Sequence, residues 1–300
     1  MVKVSVIIPT YGIPRFLNNA VRSIQEQTFN DWELIVVDDN NPYTEERNAT
    51  SLVVKEFAKN DARIVYIQHE CNKNGAVARN TGFAVARGEY IALLDSDDEY
   101  MPNRLQRCYD EMQNAPEDVA GVYTGCEFRR GGKVFSTYKD VSSGRFLKET
   151  LACKFMFCTG SNVFVRRSVI NELNGFDPSF LRQQDYEFLV RLFEKYSLIG
   201  LPDVLVIKNN ENTNVPDVDK LIAIRRQYLG KYEEIIKTLS QEDQDYIYFW
   251  NCISLAEAAM AQKKYKLASG YYKKAHVYGK LPLNTWVRRA AYPFYNFIKK

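Results

Sequence analysis

The sequence has little net charge, no long apolar run and no leader-like N-terminus. The net charge of +3 over 300 residues gives no support for nucleic-acid binding. No uninterrupted apolar stretch approaches the roughly 18–20 residues of a membrane span. Because the N-terminus shows no charged region followed by an apolar one, no signal peptide is predicted. We therefore expect a soluble, cytoplasmic protein without a nucleic-acid partner.

Cysteine spacing excludes two further classes of site. The six cysteines include no C-x-x-C pair, so neither a zinc site nor a disulfide framework is predicted, and all six are expected as reduced thiols. What the sequence does have is an ordinary globular composition, with 46% hydrophobic and 26% charged residues. A chain of this length can bury a sizeable core.

Short β-branched runs alternate with helix-like segments over roughly the first 115 residues. The predicted elements are strands at 4–10, 32–40, 63–68 and 90–95, with helices at 15–27, 43–59 and 75–88. Gly88 is expected to cap the last of these helices. This alternation predicts an α/β fold with a largely parallel sheet. Beyond residue 118 a mixed half is expected, with a hairpin around Gly131-Gly132, strands at 161–167 and 203–208, and a helix at 183–196.

Polar side chains follow the predicted strands at their carboxyl ends. They are Thr10, Asp38, Asp39, Asp95 and Asp97. Ligands of parallel sheets bind beyond these ends, so we expect the five side chains to share one crevice.

The stretch LLDSDDEY (93–100) holds the densest group of acids. Asp95 and Asp97 are separated by one residue on a turn after a strand, so both can point to one side. Their oxygens suit Mg²⁺ or Mn²⁺, which bind through one or two carboxylates plus substrate phosphates. Such an ion stabilises a diphosphate as a leaving group. The alternative is a solvated turn whose aspartates cap the following helix.

The pair Asp38-Asp39 allows three interpretations. A carboxylate here can accept the N–H of a uracil ring or a ribose hydroxyl. It can instead cap the next helix. Paired aspartates after a strand also occur in phosphoryl-accepting receiver domains, so this pair alone is ambiguous.

Five blocks together carry a family resemblance. In chain order they are VSVIIPTYG, QTFNDWELIVVDDN, NGAVARNTGFAVARGEYIALLDSDD, TGSNVFVRRSVI and GFDPSFLRQQDYEFLVRL, within about residues 1–210. Their order and spacing resemble family-2 glycosyltransferases with the GT-A fold, especially bacterial enzymes of spore-coat, capsule and exopolysaccharide assembly. The resemblance implies a nucleotide-diphospho-sugar transferase fold, a usually UDP-linked donor and inversion at the anomeric carbon.

The resemblance also implies roles for individual residues. The nucleotide-sugar site would comprise Pro9, Thr10, Tyr11, Asp38, Asp39, Arg79, Asp95 and Ser96. Asp39 looks like the uracil-binding aspartate, Arg79 like the arginine near uracil and phosphates, and Asp95 like the ribose contact. Asp97, with Asp95, would hold Mn²⁺ or Mg²⁺. The plain alternatives are a packed loop aromatic for Tyr11 and an exposed helix arginine for Arg79.

An inverting transfer needs a base that removes a proton from the acceptor hydroxyl. The resemblance assigns this role to Asp185 in RQQDYEF, at a helix N-terminus that stabilises an ionised carboxylate. The alternative is a helix-terminal acid without a catalytic role. Asp177 is expected to shape the preceding turn, and Asp98 and Glu99 only to solvate theirs.

Two positions depart from the family pattern. Gln184 stands where many relatives have Glu. Many relatives also carry a histidine after the last core strand, whereas the histidines of this chain, His69 and His276, lie elsewhere. Either Lys208 or Asn212 substitutes, or the ion relies on Asp97, diphosphate and water and binds weakly.

The C-terminal part of the sequence is mostly helical by pattern and rich in Lys, Tyr and Ala. We predict two domains, with a GT-A domain at 1–215 and a helical region at 216–300. Residues 249–282 resemble one tetratricopeptide unit, which we interpret as a hairpin packed on neighbouring helices. The segment 285–300 mixes aromatic and basic residues, so it either lies on an anionic membrane or packs as a terminal helix.

These features predict an inverting, metal-dependent transfer of a sugar to a growing bacterial surface glycan. The saccharide acceptor is either free or carried on a polyprenyl diphosphate lipid at the inner face of the cell membrane. A nucleotidyltransferase is one alternative, although PTYGIPR is a poor activating loop. A degenerate nucleotide-sugar-binding or scaffolding protein is another, but the presence of Asp97 and Asp185 argues against it.

Overall fold

The computed structural model describes residues 2–158, 160–209 and 216–280. These residues form two compact units. The first is drawn from residues 1–145 and 156–213, and the second from 146–155 and 214–300. Residues 146–155 therefore group with the C-terminal helices. The division into domains 1–215 and 216–300 stays a prediction.

The first unit is built on one mixed sheet. Its described strands are β1 (Val4–Thr10), β2 (Trp32–Asp38), β3 (Ile64–Gln68), β4 (Tyr90–Leu93), β5 (Glu99–Tyr100), β6 (Val119–Arg130), β7 (Lys133–Tyr138), β8 (Phe164–Arg166) and β9 (Ser197–Asn209). Their order in the sheet is β3-β2-β1-β4-β8-β6-β9-β5, and β7 pairs with β6. The first four strands are mutually parallel, and β8 joins them antiparallel. The predicted α/β fold, a sheet with a parallel half and a mixed half flanked by helices, is confirmed.

Helices flank this sheet and form most of the second unit. The described helices are α1 (Leu17–Gln25), α2 (Glu45–Asn60), α3 (Gly75–Val85), α4 (Arg104–Gln113), α5 (Leu147–Leu151), α6 (Arg167–Glu172), α7 (Gln184–Lys195), α8 (Val218–Lys231), α9 (Glu233–Thr238), α10 (Gln241–Ala261) and α11 (Tyr265–Tyr278). No helix within the described ranges is long and apolar enough to cross a membrane.

The core of the first unit explains why the carboxyl ends of the strands come together. Every residue of β2 is buried, and α1 buries its apolar face, which includes Leu17, Val21 and Ile24. Thr10 is in register with Asp38 across the parallel pair β1–β2. The loops after these neighbouring strands therefore begin at the same edge of the sheet.

Two local predictions need correction. Helix α3 ends at Val85, and Ala86 rather than Gly88 is its cap. Gly88 is needed for close packing instead, since a Cβ at this position would lie 2.5 Å from the backbone nitrogen of Ser5. The predicted strand 161–167 is reduced to β8, because a 3₁₀ turn at Gly160–Asn162 precedes it and α6 follows it directly.

The cysteine prediction is wrong for one pair. Cys126 on β6 and Cys158 form a disulfide across 32 residues. No local cysteine spacing predicts this disulfide, because the two thiols come together only in the tertiary fold. The other four cysteines, Cys71, Cys108, Cys153 and Cys252, are not in disulfides. The predicted hairpin is present as β6–β7, and Gly131 and Gly132 in its turn both have positive φ, at 56° and 72°.

In the second unit, α10 and α11 form the expected helical hairpin. Ala256, Ala268, Tyr272 and Ala275 are buried between its helices and Val218 at the start of α8. The packing partner that one isolated hairpin lacks is thus supplied within the unit. The segment 285–300 and Asn212 lie outside the described residues.

Candidate active site

A cavity of about 800 Å³ lies among the residues that follow β1, β2 and β4. Its volume is within the range of small-molecule sites. The predicted site residues that line it are Pro9, Thr10, Tyr11, Asp39, Arg79, Asp95, Ser96 and Asp97. Asp38 and Asp185 are not in its wall. Four of the five strand-end side chains therefore share the crevice that was expected.

The loop after β1 forms one side of the cavity. Tyr11 is 66% exposed, so it is not a packed loop aromatic. Gly12 has φ +81°, a conformation that favours glycine, and its N–H donates to Asn40 Oδ1 at 2.7 Å. Thr10 is buried, and its Oγ1 has no hydrogen-bond partner among the described residues. A buried hydroxyl without a partner in a cavity wall is suited to a ligand.

Asp38 lies beneath the cavity and is fully buried. Its Oδ2 is 3.3 Å from Arg47 Nε and accepts a hydrogen bond from Tyr66 Oη at 2.5 Å. Its Oδ1 accepts from the N–H of Asn40 at 3.0 Å. The N-cap of α2 is Thr44, so Asp38 does not cap that helix. Asp38 supports the turn from within.

Asp39 holds the loop between β3 and α3. Its Oδ1 accepts from His69 Nδ1 at 2.6 Å and from the N–H of Lys73 at 2.8 Å. Its Oδ2 accepts from Asn72 Nδ2 at 2.8 Å and from the N–H of Asn74 at 2.9 Å. A carboxylate offers about four lone-pair sites, so these donors use its usual capacity. The loop is thereby fixed along the cavity wall.

Arg79 connects the strand end of β4 to the start of α7. Its Nη2 donates to Asp95 Oδ1 at 2.6 Å, and its Nη1 donates to Gln184 Oε1 at 3.2 Å. Gln184 is oriented by its own Nε2, which donates to the carbonyl of Phe180 at 2.8 Å. The side chain of Arg79 is only 14% exposed. It is therefore not an exposed helix arginine but part of the site.

The turn after β4 gathers three carboxylates. One oxygen of each of Asp95, Asp97 and Asp98 lies within 4.8 Å of the others. None of them caps α4, whose N-cap is Asn103. The side chain of Asp97 is 48% exposed, whereas that of Asp98 is fully buried. Burial raises the pKa of Asp97 and Asp98, and the mutual repulsion of the carboxylates acts in the same direction.

The prediction that Asp98 only solvates its turn is wrong. Its Oδ2 accepts from Ser161 Oγ at 2.5 Å, and its Oδ1 lies 3.2 Å from Lys208 Nζ. Ser161 Oγ also accepts from the N–H of Asp95 at 2.9 Å, which fixes the start of the turn. Lys208 Nζ is 3.9 Å from Asp97 Oδ1. Of the two proposed substitutes for the missing histidine, Lys208 therefore lies at the acidic turn.

Asp185 is the second residue of α7 and follows Gln184 directly. Its Oδ1 accepts from the N–H of Tyr186 at 2.9 Å. Burial raises the pKa of Asp185 above the ordinary aspartate value, and the charge of Asp95 adds to this, while Arg79 opposes it. In the turn before α7, the N–H of Ser179 donates to Asp177 Oδ1, as expected.

Two supporting residues escaped the sequence reasoning. His69 and Ser161 reach Asp39 and Asp98 from 30 and 63 residues away. Ser161 stands in the block TGSN, which was part of the family resemblance. For His69 no local signal existed, because a single histidine at a strand end has no pattern.

Comparison with known proteins gives two family matches. The model of glycosyl transferase family 2 matches residues 5–173, and that of glycosyl transferase family group 2 matches residues 90–268. A curated relative, the GalNAc(5)-diNAcBac-PP-undecaprenol beta-1,3-glucosyltransferase of Campylobacter jejuni, is 27% identical. The alignment covers 95% of this chain and 85% of that relative.

Solved structures share the fold at low sequence identity. S. aureus TarS 1-349 in complex with UDP-GlcNAc superposes with a TM-score of 0.59 at 15% identity, covering 97% of this chain and 91% of that one. The mannosyltransferase PcManGT from Pyrobaculum calidifontis, in complex with GDP-Man and Mn²⁺, gives 0.57 at 20% identity, covering 99% and 86%.

Proposed function

Because the chain belongs to glycosyl transferase family 2, we propose that it moves a sugar from a nucleotide diphosphate, with UDP as the expected nucleotide, to a hydroxyl of a bacterial surface glycan. One observation carries the proposal. The cavity joins Asp39, Arg79, Asp95 and Asp97 in one wall, and Gln184, the residue before Asp185, accepts a hydrogen bond from Arg79.

The donor fits this cavity by its chemistry. The exposed ring of Tyr11 offers a face on which a base can stack, and Thr10 Oγ1 offers a buried hydroxyl. Asp39 borders the base end of the cavity. Asn72 is exposed, so its amide is the donor on Asp39 that a base N–H can displace. The Arg79 guanidinium suits the phosphates, and Asp95 and Ser96 border the ribose position.

Asp97, together with Asp95, would hold Mn²⁺ or Mg²⁺. The fit rests on hard oxygen donors that lie close together and on the exposure of Asp97. The bound ion would neutralise the diphosphate as it leaves. Asp98 is committed to Ser161 and Lys208, so it orders the turn rather than adding a ligand.

Asp185 is the proposed general base. Its ionised carboxylate takes the proton of the acceptor hydroxyl while that oxygen attacks the anomeric carbon. The bond from the anomeric carbon to the diphosphate oxygen breaks in the same step, and the nucleoside diphosphate departs with that electron pair. A single displacement inverts the anomeric centre. Burial raises the pKa of Asp185, which makes its carboxylate a stronger base.

Asp185→Asn tests the assignment, because asparagine keeps the shape and cannot accept the proton. We expect titration calorimetry to show unchanged UDP binding in the presence of Mn²⁺. Transfer from a UDP-sugar should fall about 10²–10⁴-fold, the usual contribution of a general base. Asp177→Asn, which changes the turn acid, is the matched control. Normal turnover by Asp185→Asn would refute the base assignment, and failure of the wild-type protein to bind any nucleotide diphosphate would refute the proposed function.

We further propose an acceptor carried on a polyprenyl diphosphate lipid. Support comes from the Campylobacter jejuni relative, whose name places its acceptor on PP-undecaprenol. Such an acceptor would require the protein to work at the inner face of the cell membrane. The aromatic and basic segment 285–300 remains a candidate for membrane contact.

A further inference from the structure

The C-terminal part of the helical hairpin in the second unit carries positive charge only. Residues 261–280, from the end of α10 through α11, contain no aspartate or glutamate. They contain six lysines: Lys263, Lys264, Lys266, Lys273, Lys274 and Lys280. The whole chain carries a net charge of only +3, so this segment is far more basic than the average.

Part of this charge surrounds a surface groove of about 670 Å³. The groove is lined by Lys263, Lys266 and Lys274 together with Tyr265 and Tyr271. All three lysines are exposed, and none has an ion pair with an acid of the described residues. Within the part of the chain that the structure describes, Lys264 in this wall does pair with acids, at 3.1 Å from Asp217 and 2.7 Å from Asp219.

The aromatic residues make the surface amphipathic. Tyr265, at the start of α11, is 45% exposed. Lys274 Nζ lies 5.1 Å from the ring centre of Tyr271. Tyrosine rings with lysines around them are typical of surfaces that rest at the level of lipid headgroups.

We propose that the groove and the exposed lysines around it form a docking surface for an anionic lipid bilayer. Lysines are flexible point charges, which suit many dispersed headgroup phosphates rather than one fixed anion. The choice of a bilayer over a nucleic acid rests on the proposed function, since a lipid-linked acceptor is held at a membrane. The surface concentrates the enzyme where its acceptor lies.

The test is co-sedimentation of the full chain with vesicles of phosphatidylglycerol and phosphatidylcholine in equal amounts. The wild type should bind these vesicles, should not bind pure phosphatidylcholine, and should be released by high salt. The variant Lys263→Gln, Lys266→Gln, Lys274→Gln should bind at least about 100-fold more weakly. Glutamine has a helix propensity similar to that of lysine, so α11, which contains Lys266 and Lys274, should fold normally; Lys263 lies before this helix.

The matched control changes three exposed lysines of the first unit, as Lys55→Gln, Lys59→Gln, Lys133→Gln. It loses the same charge and should keep wild-type binding. Equal binding by the groove variant and the wild type would overturn the proposal, as would a groove variant that loses affinity for an oligonucleotide but not for vesicles. UDP titration of the groove variant should match that of the wild type, which separates this test from that of the sugar transfer.

Discussion

The two acidic strand ends of the sheet look alike in sequence and differ in the structure. After β2, Asp38 and Asp39 are both almost completely buried and are held by donors of the protein itself. After β4, Asp98 is buried in the same way, but Asp97 keeps half of its side chain exposed towards the cavity. Of these four aspartates, Asp97 keeps a carboxylate exposed for an ion, whereas Asp39 would accept a ligand N–H only by exchanging its Asn72 donor.

The difference arises from where the donors lie. At the β2 end, the backbone N–H groups of Lys73 and Asn74 turn inward to Asp39, and Arg47 neutralises Asp38. At the β4 end, Ser161 and Lys208 approach Asp98 from one side. A carboxylate that the fold already satisfies stabilises the protein, and one that it leaves exposed can bind an ion. Measurements of stability and of ligand binding should therefore separate the two classes.

The largest effect is expected for the exposed carboxylate. Asp97→Ala should abolish the strengthening of UDP binding by Mn²⁺ and lower transfer about 10³-fold, since metal stabilisation of a leaving group is worth several kcal/mol. The free energy of unfolding should stay within about 0.5 kcal/mol, because the site is exposed. Titration calorimetry with and without Mn²⁺, together with urea melts, measures both. Glu56→Ala on the exposed face of α2 is the control. A large loss of stability in Asp97→Ala would remove the distinction between the two strand ends.

Asp38→Ala should show the opposite profile. Removing this carboxylate leaves Arg47 buried without its counter-charge, which costs about 3–5 kcal/mol. Nucleotide affinity, measured below the melting temperature, should change little because Asp38 does not line the cavity. A loss of UDP affinity with unchanged stability would instead place Asp38 in the donor site.

The sequence was sufficient to predict which side chains lie together at the strand ends. Because parallel strands end on the same side, alternating strands and helices predicted one crevice for five side chains: Thr10, Asp38, Asp39, Asp95 and Asp97. All of these except Asp38 line the cavity. The sequence could not tell which carboxylates the protein would satisfy. Their partners come from distant segments, as Lys208 does for Asp98 across 110 residues.

The disulfide and the packing glycine were missed for the same reason. Cys126 and Cys158 belong to elements that meet only in the folded sheet. Gly88 has no local turn to explain it and is required by the close approach of β1. Local patterns predict elements and their edges, whereas long-range contacts assign the individual side chains.

A smaller effect is expected at the buried pair of the β4 end. Asp98→Ala should lower the free energy of unfolding by about 3 kcal/mol, because Lys208 then lacks its main partner in a site that is largely buried. Adding Lys208→Met should restore most of this loss, since removing both charges costs far less than removing one. Urea melts of the two single variants and the double variant form the test. A double variant as unstable as the sum of the singles would show that the pair is not coupled.

The smallest effect is expected for Gln184→Glu, at the residue that accepts a hydrogen bond from Arg79, which also donates to Asp95 after β4. The aspartates after β2 are satisfied by their own donors, whereas the Arg79–Gln184 contact connects the β4 end to the residue before Asp185. Gln184→Glu places a carboxylate beside Asp185 and competes for the Arg79 charge that lowers the pKa of that group. Both changes raise the pKa of Asp185 further.

A general base acts only when ionised, so under the proposed role of Asp185 transfer should rise with pH through the pKa of this group. The acid limb of kcat/KM should therefore already lie above the range of an ordinary aspartate, and Gln184→Glu should move it to still higher pH. The rate on the high-pH plateau should change little, because the new carboxylate leaves the base in place. A pH profile of transfer checks this, with Gln241→Glu in the second unit as the charge-matched control. An acid limb that stays in the wild-type position would contradict this prediction. It would mean that a charge at position 184 does not affect the pKa of Asp185.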